Sequence, residues 1–235
     1  MADATVAEEE YLQTIFWLHE AGLPMTGANV ARAMQLSAPT VHEMVGRLVK
    51  DGYITRAADK SISFTEDGLE QAQQVVRRHR LIERFLTDVL KIPWDDVHEE
   101  AERLEHAMSP VLEARMMAAI GDAKTCPHGH PIEPGTRIEG VPLGDVEEGA
   151  RITVLRFENE AEDLLHLFKR EGLEPGRNGV VTSVDDDHVT VDFEGQTATL
   201  TRSVAETVSV LADPSPPPRT ALPEVLVLGK ERYGR

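Results

Sequence analysis

Between His79 and His106 the chain interleaves imidazoles with carboxylates at helical spacing, and this pattern dictates how the surrounding helices must pack. His79 and Glu83 stand four apart, and His98, Glu102, Glu105 and His106 fall at i, i+4, i+7 and i+8, so each set shares one helix face. Val75, Val76, Ile82, Phe85, Leu86 and Val89 in the same stretch are apolar, which marks a packed helix. A lone buried histidine is more often hydrogen-bonded than ligating, and solvated helices often carry glutamates. Six such groups on one seam of an apolar bundle are costly to bury unpaired, however, and a divalent cation offsets that cost. The two helices are expected to face each other across a metal. Oxygen donors with one or two imidazoles and no sulfur suit Mn(II) or Fe(II) better than tetrahedral zinc or thiophilic copper. Because histidine must be neutral to ligate, affinity is expected to fall below about pH 6.5.

Upstream, the pattern is that of a DNA-reading unit. An amphipathic helix over about 5–21 (Val6, Leu12, Ile15, Phe16, Leu18) stops at Gly22 and Pro24. Thr26 suits the N-cap of a second helix, Gln35-Leu36-Ser37 a short turn, and Ser37 the cap of a third helix with Val41, Val45, Leu48 and Val49 buried. Tyr53 to Arg56 and Ser61 to Phe64 then alternate like a two-stranded wing. Helix, helix, turn, helix, hairpin is the winged helix-turn-helix order, which lays the start of the third helix in the major groove. The same small unit also occurs as a plain interaction module.

The net charge of -17 argues against nonspecific nucleic-acid binding by the whole surface. From Gly22 to Phe64, though, five basic side chains (Arg32, Arg47, Lys50, Arg56, Lys60) face three acidic ones (Glu43, Asp51, Asp59), so a local patch survives the composition test. No run approaches the roughly 18 apolar residues of a membrane span, and MADATVAEEE lacks the features of a signal peptide, so a cytoplasmic protein with no membrane partner is expected. The single cysteine, Cys126, excludes an intrachain disulfide, and a thiolate metal site would need more sulfur.

Downstream, Thr65 to about Lys91 reads as a long helix, Trp94 to Met108 as another, and Ser109-Pro110 as the start of a third. These helices should pack on each other and across a twofold axis, since an inverted-repeat operator needs two reading heads. The Pro- and Gly-rich CPHGHPIEPGTRIEGVPLGD reads as an ordered loop or linker. A strand over 151–157, a helix over 160–171 and short strands at 180–184, 189–193, 198–201 and 207–211 suggest a small barrel. The last residues, including Val225 to Leu228, follow a proline-rich stretch and fit no element.

The strings EEYLQTIFWL, LSAPTVHEMVGRLVKDGYI, RRHRLIERFL, VHEEAERLEHAMS and CPHGHPI resemble the diphtheria toxin repressor and manganese transport regulator family, over about residues 8–212. The resemblance implies a mainly α fold with small β parts. It divides into a winged helix-turn-helix domain (1–68), a helical metal-binding and dimerisation domain (69–123), a linker (124–149), an SH3-like small β-barrel (150–212) and a tail (213–235).

The resemblance implies one metal held by Glu10, Glu102, Glu105 and His106, and a second by His79, Glu83 and His98 with Glu160 and Asp163. A metal tied to Glu10 would make the first helix a switch that sets the spacing of the reading heads. Iron-responsive relatives carry methionine at the position of Glu10 and cysteine at that of Glu102, so the carboxylates here favour Mn(II), with Fe(II) as the alternative. Gln13 stands where the compact manganese branch has a further carboxylate. On the DNA side the resemblance points to Ser37, Pro39 and Thr40 for base contacts and to Arg47, Lys50, Arg56 and Lys60 for phosphates. Glu43 replaces a common glutamine and can accept from cytosine.

The implied function is a metal-dependent, dimeric regulator of metal-homeostasis genes, and not an enzyme. The rivals are a repressor answering to a small molecule and a carboxylate-bridged di-metal enzyme or storage protein. The latter normally needs Glu-x-x-His pairs on two helices, a motif this chain does not repeat.

Overall fold

The structure is a computed structural model that describes residues 4–216. The rest of the expected tail, Val225 to Leu228 included, lies outside the described residues. Helices α1 (Val6–Glu20), α2 (Gly27–Met34) and α3 (Ala38–Lys50) are followed by the hairpin β1 (Ile54–Arg56) and β2 (Ile62–Phe64). Their boundaries follow local chemistry. Thr5 caps α1 in a reciprocal box with Glu8, Thr26 caps α2, and Ser37 caps α3. Gln35 takes a left-handed conformation to make the turn between α2 and α3. The three helices and the wing close over Leu12, Ile15, Val30, Leu48, Ile54 and Ile62.

The long helix α4 (Glu66–Asp88) joins two cores. Its first half gives Ala72 and Val76 to the winged unit, while Leu81, Ile82 and Leu86 pack with α5 (Val97–Glu105) and α6 (Pro110–Ala119). His79 and Glu83 fall at the changeover. The start of α4 is pressed against the wing so tightly that a Cβ at Gly68 would lie 1.7 Å from the Tyr53 carbonyl oxygen, which leaves room for glycine alone. Ser109 and Pro110 start α6 by cap and fixed φ, as the sequence indicates.

The remainder is built on a six-stranded antiparallel sheet: β3 (Val141–Pro142), β4 (Arg151–Phe157), β5 (Asn178–Val184), β6 (His188–Phe193), β7 (Gln196–Thr201) and β8 (Val208–Asp213). Helices α7 (Glu162–Glu171) and α8 (Arg202–Ala205) are inserted between strands. The order is β3-β8-β4-β5-β6-β7, with β3 and β7 as free edges. This corrects the expected SH3-like barrel, because no sheet among the described residues closes on itself. The physical reason lies at those edges. β3 has two residues, one of them a proline without an N–H, so it cannot complete a ladder. In place of strand pairing, α8 packs against β6, β7 and the 3-10 turn Leu143–Asp145. The core of this unit is filled by Phe157, Phe168, Phe193 and aliphatic neighbours.

No helix among the described residues is long and apolar enough to cross a membrane.

Candidate metal centre

Residues from four separate segments converge where α4 passes from one core to the next. His79 and Glu83 come from α4, His98 from α5, Glu160 from the turn between β4 and α7, and Cys126 and His128 from the loop after α6. Two overlapping sets result, His79–Glu83–His98–Glu160 and Glu83–Cys126–His128–Glu160, with the ligand atoms of each set within 4.8 Å of one another. Glu83 is the hub: its Oε1 lies 2.9 Å from His79 Nε2, 3.1 Å from His98 Nδ1 and 3.2 Å from His128 Nδ1. Glu160 Oε2 faces the same centre, 2.9 Å from His98 Nδ1 and 3.4 Å from His128 Nδ1.

The outer contacts fix which imidazole atoms look inward. His128 Nε2 donates to the Trp94 carbonyl at 2.8 Å, so its Nδ1 faces the two glutamates. His79 Nδ1 donates to Glu105 Oε2 at 2.6 Å, which leaves Nε2 to face Glu83. A histidine oriented by a carbonyl or carboxylate on its far nitrogen is the usual arrangement of a metal ligand. The second oxygen of Glu83, Oε2, is wholly buried and has no hydrogen-bond partner. A divalent cation fits this deficit, since it supplies the positive charge and the ligation that a buried carboxylate oxygen lacks.

Without an ion, the cluster balances its charge with protons. Burial alone would lower His79, but Glu83 and Glu105 raise it to about 9. His98 and His128 are likewise raised well above the ordinary imidazole value, against burial, by the surrounding glutamates. Burial would raise Glu83 and Glu160, yet the histidines hold both below the usual carboxylate range. Burial lifts the Cys126 thiol to about 11.

The loop carrying Cys126 and His128 is sewn onto α4. Arg84 donates to the Thr125 and Cys126 carbonyls at 2.7 and 2.9 Å, and Arg80, ion-paired with Glu20 of α1, donates to the Pro131 carbonyl at 2.9 Å. Gly129, at φ +94°, lets the loop turn where a Cβ would sit 2.0 Å from the Leu155 carbonyl oxygen. Sequence reasoning passed over Cys126 and His128 by treating CPHGHP as linker. The signal was the sole cysteine standing two residues from a histidine.

The other expected set is differently arranged. Glu105 Oε2 accepts from His79 and, at 3.0 Å, from Gln13 Nε2, while its Oε1 lies 3.3 Å from His106 Nε2. His106 Nδ1 is held at 2.6 Å by Glu9, not by Glu10, and Glu102 Oε1 lies 3.4 Å from His98 Nε2. Glu105 and Glu10 lie by His106, while Glu102 faces His98, and the four belong to none of the tightly convergent groups among the described residues. Asp163 is exposed at the start of α7, where its Oδ1 accepts from the Leu164 N–H. A further group, Asp95, Asp96 and His166, contains its own cation, Lys169 on Asp95.

On the winged unit, Ser37, Pro39, Thr40, Glu43, Arg47 and Lys50 are all exposed on α3 or its cap, and Arg56 and Lys60 are exposed on the wing. Arg47 Nε is engaged at 2.9 Å by Glu8, and Arg56 Nη1 lies 3.4 Å from His42 Nδ1.

A winged DNA-binding unit fused to a buried histidine–carboxylate cluster defines a metal-sensing transcriptional regulator. Comparison with known proteins bears this out. Residues 3–62 match the iron dependent repressor N-terminal DNA binding domain, and residues 65–134 match the iron dependent repressor metal binding and dimerisation domain. The chain is 33% identical over 222 residues to the iron-dependent repressor IdeR of Mycobacterium tuberculosis, covering 86% of this chain and 95% of that one. It is 32% identical over 227 residues to the diphtheria toxin repressor of Corynebacterium diphtheriae, covering 89% and 99%. A solved manganese-dependent transcriptional repressor in complex with manganese superposes with a TM-score of 0.79 at 29% identity, covering 87% and 99%. The chain belongs to the iron-dependent repressor family, which includes manganese regulators, and is a metal-dependent transcriptional regulator rather than an enzyme.

Proposed function

We propose that the chain binds an inverted-repeat operator as a homodimer when loaded with Mn(II), and that it responds to Fe(II) second. The observation that carries this reading is the orphaned Glu83 Oε2 at the meeting point of three imidazoles and a second carboxylate. In this reading His79, Glu83, His98 and Glu160 hold one ion, with His128 completing the sphere for Mn(II) and the Cys126 thiol joining it for softer ions. Glu10, Glu102, Glu105 and His106 take a second ion once Glu9 gives up His106. The bound ion supplies a fixed positive charge that replaces the protons on the histidines. Three nitrogens and two carboxylates, each carboxylate able to give one oxygen or two, accommodate the high coordination numbers of Mn(II) and Fe(II).

Leu104, Val111 and Leu112, on α5 and the start of α6, are exposed, Val111 by 72%, and they supply an apolar face for a second copy. Ser37, Pro39, Thr40 and Glu43 then read bases, while Arg47, Lys50, Arg56 and Lys60 hold phosphates.

The direct test is fluorescence anisotropy with a duplex selected from a random pool, titrated in Mn(II), Fe(II) or chelator. Tight binding with Mn(II) and its loss on chelation are expected; binding indifferent to chelator would reject the reading. Cys126 sets a secondary expectation. A thiolate donor favours softer ions, so Cys126→Ser should weaken Zn(II) binding at least about tenfold while changing Mn(II) less than about threefold. Equal losses for both ions would mean that the thiol does not discriminate.

A further inference from the structure

The first turn of α1 touches the metal region and the DNA-reading helix through adjacent side chains. Glu9 Oε2 reaches His106 Nδ1 at 2.6 Å, and Glu10 lies beside the same histidine. Glu8, one residue earlier, points elsewhere. It is 3% exposed, and its two oxygens are committed to different elements. Oε2 accepts from the backbone N–H and the hydroxyl of Thr5, both at 2.7 Å, which fixes the carboxylate to its own helix. Oε1 receives Arg47 Nε of α3 at 2.9 Å. Arg47 also has a second carboxylate within its own helix, Asp51 Oδ2 at 3.6 Å.

From this geometry we propose that Glu8 is a positioning residue that carries metal occupancy to the recognition helix. The inference rests on the function proposed above. When an ion ties Glu10 and its helix to α5, Glu8 is held with it, and its rigid carboxylate keeps Arg47 turned toward α1. Arg47 Nε is shared between Glu8 and Asp51, so when α1 is released the guanidinium is left to Asp51 alone. The two settings place a phosphate-binding guanidinium, and the start of the helix that carries it, in different positions relative to the DNA. A contact that differs between two discrete states is what allows one site to bias another.

Glu8→Gln isolates this role. Glutamine at the third helical position still forms the reciprocal cap with threonine, so α1 is retained, while the charge that holds Arg47 is removed. Circular dichroism should therefore match the parent, and Mn(II) binding, followed by calorimetry, should stay within about twofold. The factor by which Mn(II) tightens binding of the selected duplex should fall about fivefold or more, the lower end of typical site-to-site coupling, because Arg47 is 49% exposed and its ion pair is screened. In an Arg47→Gln background, Glu8→Gln should cost nothing further. A full Mn(II) effect in Glu8→Gln, or an undiminished loss in the Arg47→Gln background, overturns the inference. If the parent protein shows no Mn(II) effect on DNA, the proposed function itself falls; the parent titration therefore separates the two failures.

Discussion

Glu83→Gln is expected to abolish metal-dependent DNA binding and to lower Mn(II) affinity by more than the roughly 10–100-fold seen when an outer-shell partner is lost. Glu83 touches three histidines through one oxygen and offers the other, unpaired, to an ion, so neutralising it removes both the hub and the ligand. The metal-free protein should also suffer. His79, His98 and His128 are charged largely because Glu83 and its neighbours make them so. Removing one partner of a buried charge pair costs about 3–5 kcal/mol, and this loss should be greatest at acid pH, where the histidines stay protonated. Urea unfolding of metal-free parent and variant at pH 5.5 and 8.5 would show it. A variant as stable as the parent at both values, and still gripping its duplex with Mn(II), would mean that Glu83 is neither hub nor ligand.

The parts of the molecule governed by neighbours in sequence were legible there. Thr26, Ser37 and Ser109-Pro110 each begin a helix because a side-chain oxygen or a fixed φ acts within three residues. That His79 and Glu83 share a face follows from their spacing, and that face meets His98 of α5. What escaped depends on distant partners. The loop of Cys126 and His128 has no period of its own and is buried because Arg80 and Arg84, some forty to fifty residues earlier, hold its carbonyls. Strand count and spacing do not say whether the last strand meets the first; a two-residue edge strand and the interposed α8 decide against closure. Likewise, neither Glu9 nor Glu10 is marked by pattern as the partner of His106, since both sit near the start of one helix. In the fold it is Glu9 that reaches His106.

Proton competition should dominate the pH behaviour, in opposite senses for the free and loaded protein. His79 is raised from 6.5 to about 9, and His98 and His128 are raised as well, so the stabilisation they give the metal-free fold is fully present below about pH 6.5 and is lost as pH rises through their folded values. At 1.36 kcal/mol per unit, His79 alone contributes about 3 kcal/mol of that loss between pH 6.5 and 9. Glu83 and Glu160, both lowered, contribute above the ordinary carboxylate range and lose that contribution only in acid. The metal-free protein should thus be most stable between about pH 4.5 and 6.5.

Ligation runs the other way, because each histidine must shed its proton to bind the ion. Three protons released per ion, from His79, His98 and His128, would steepen apparent Mn(II) affinity by about 1000-fold per pH unit until the histidines titrate. This moves the working range above the pH 6.5 expected for unperturbed histidines. Trp17 lies 5.7 Å from the His79 ring and Trp94 lies 6.1 Å from that of His128, so intrinsic fluorescence should report both titrations directly. A steep rise in affinity from pH 6.5 to 9, with matching proton release in weakly buffered solution, is the expected result. Affinity that stays flat across that interval would show that these imidazoles are not protonated in the free protein or do not ligate the ion.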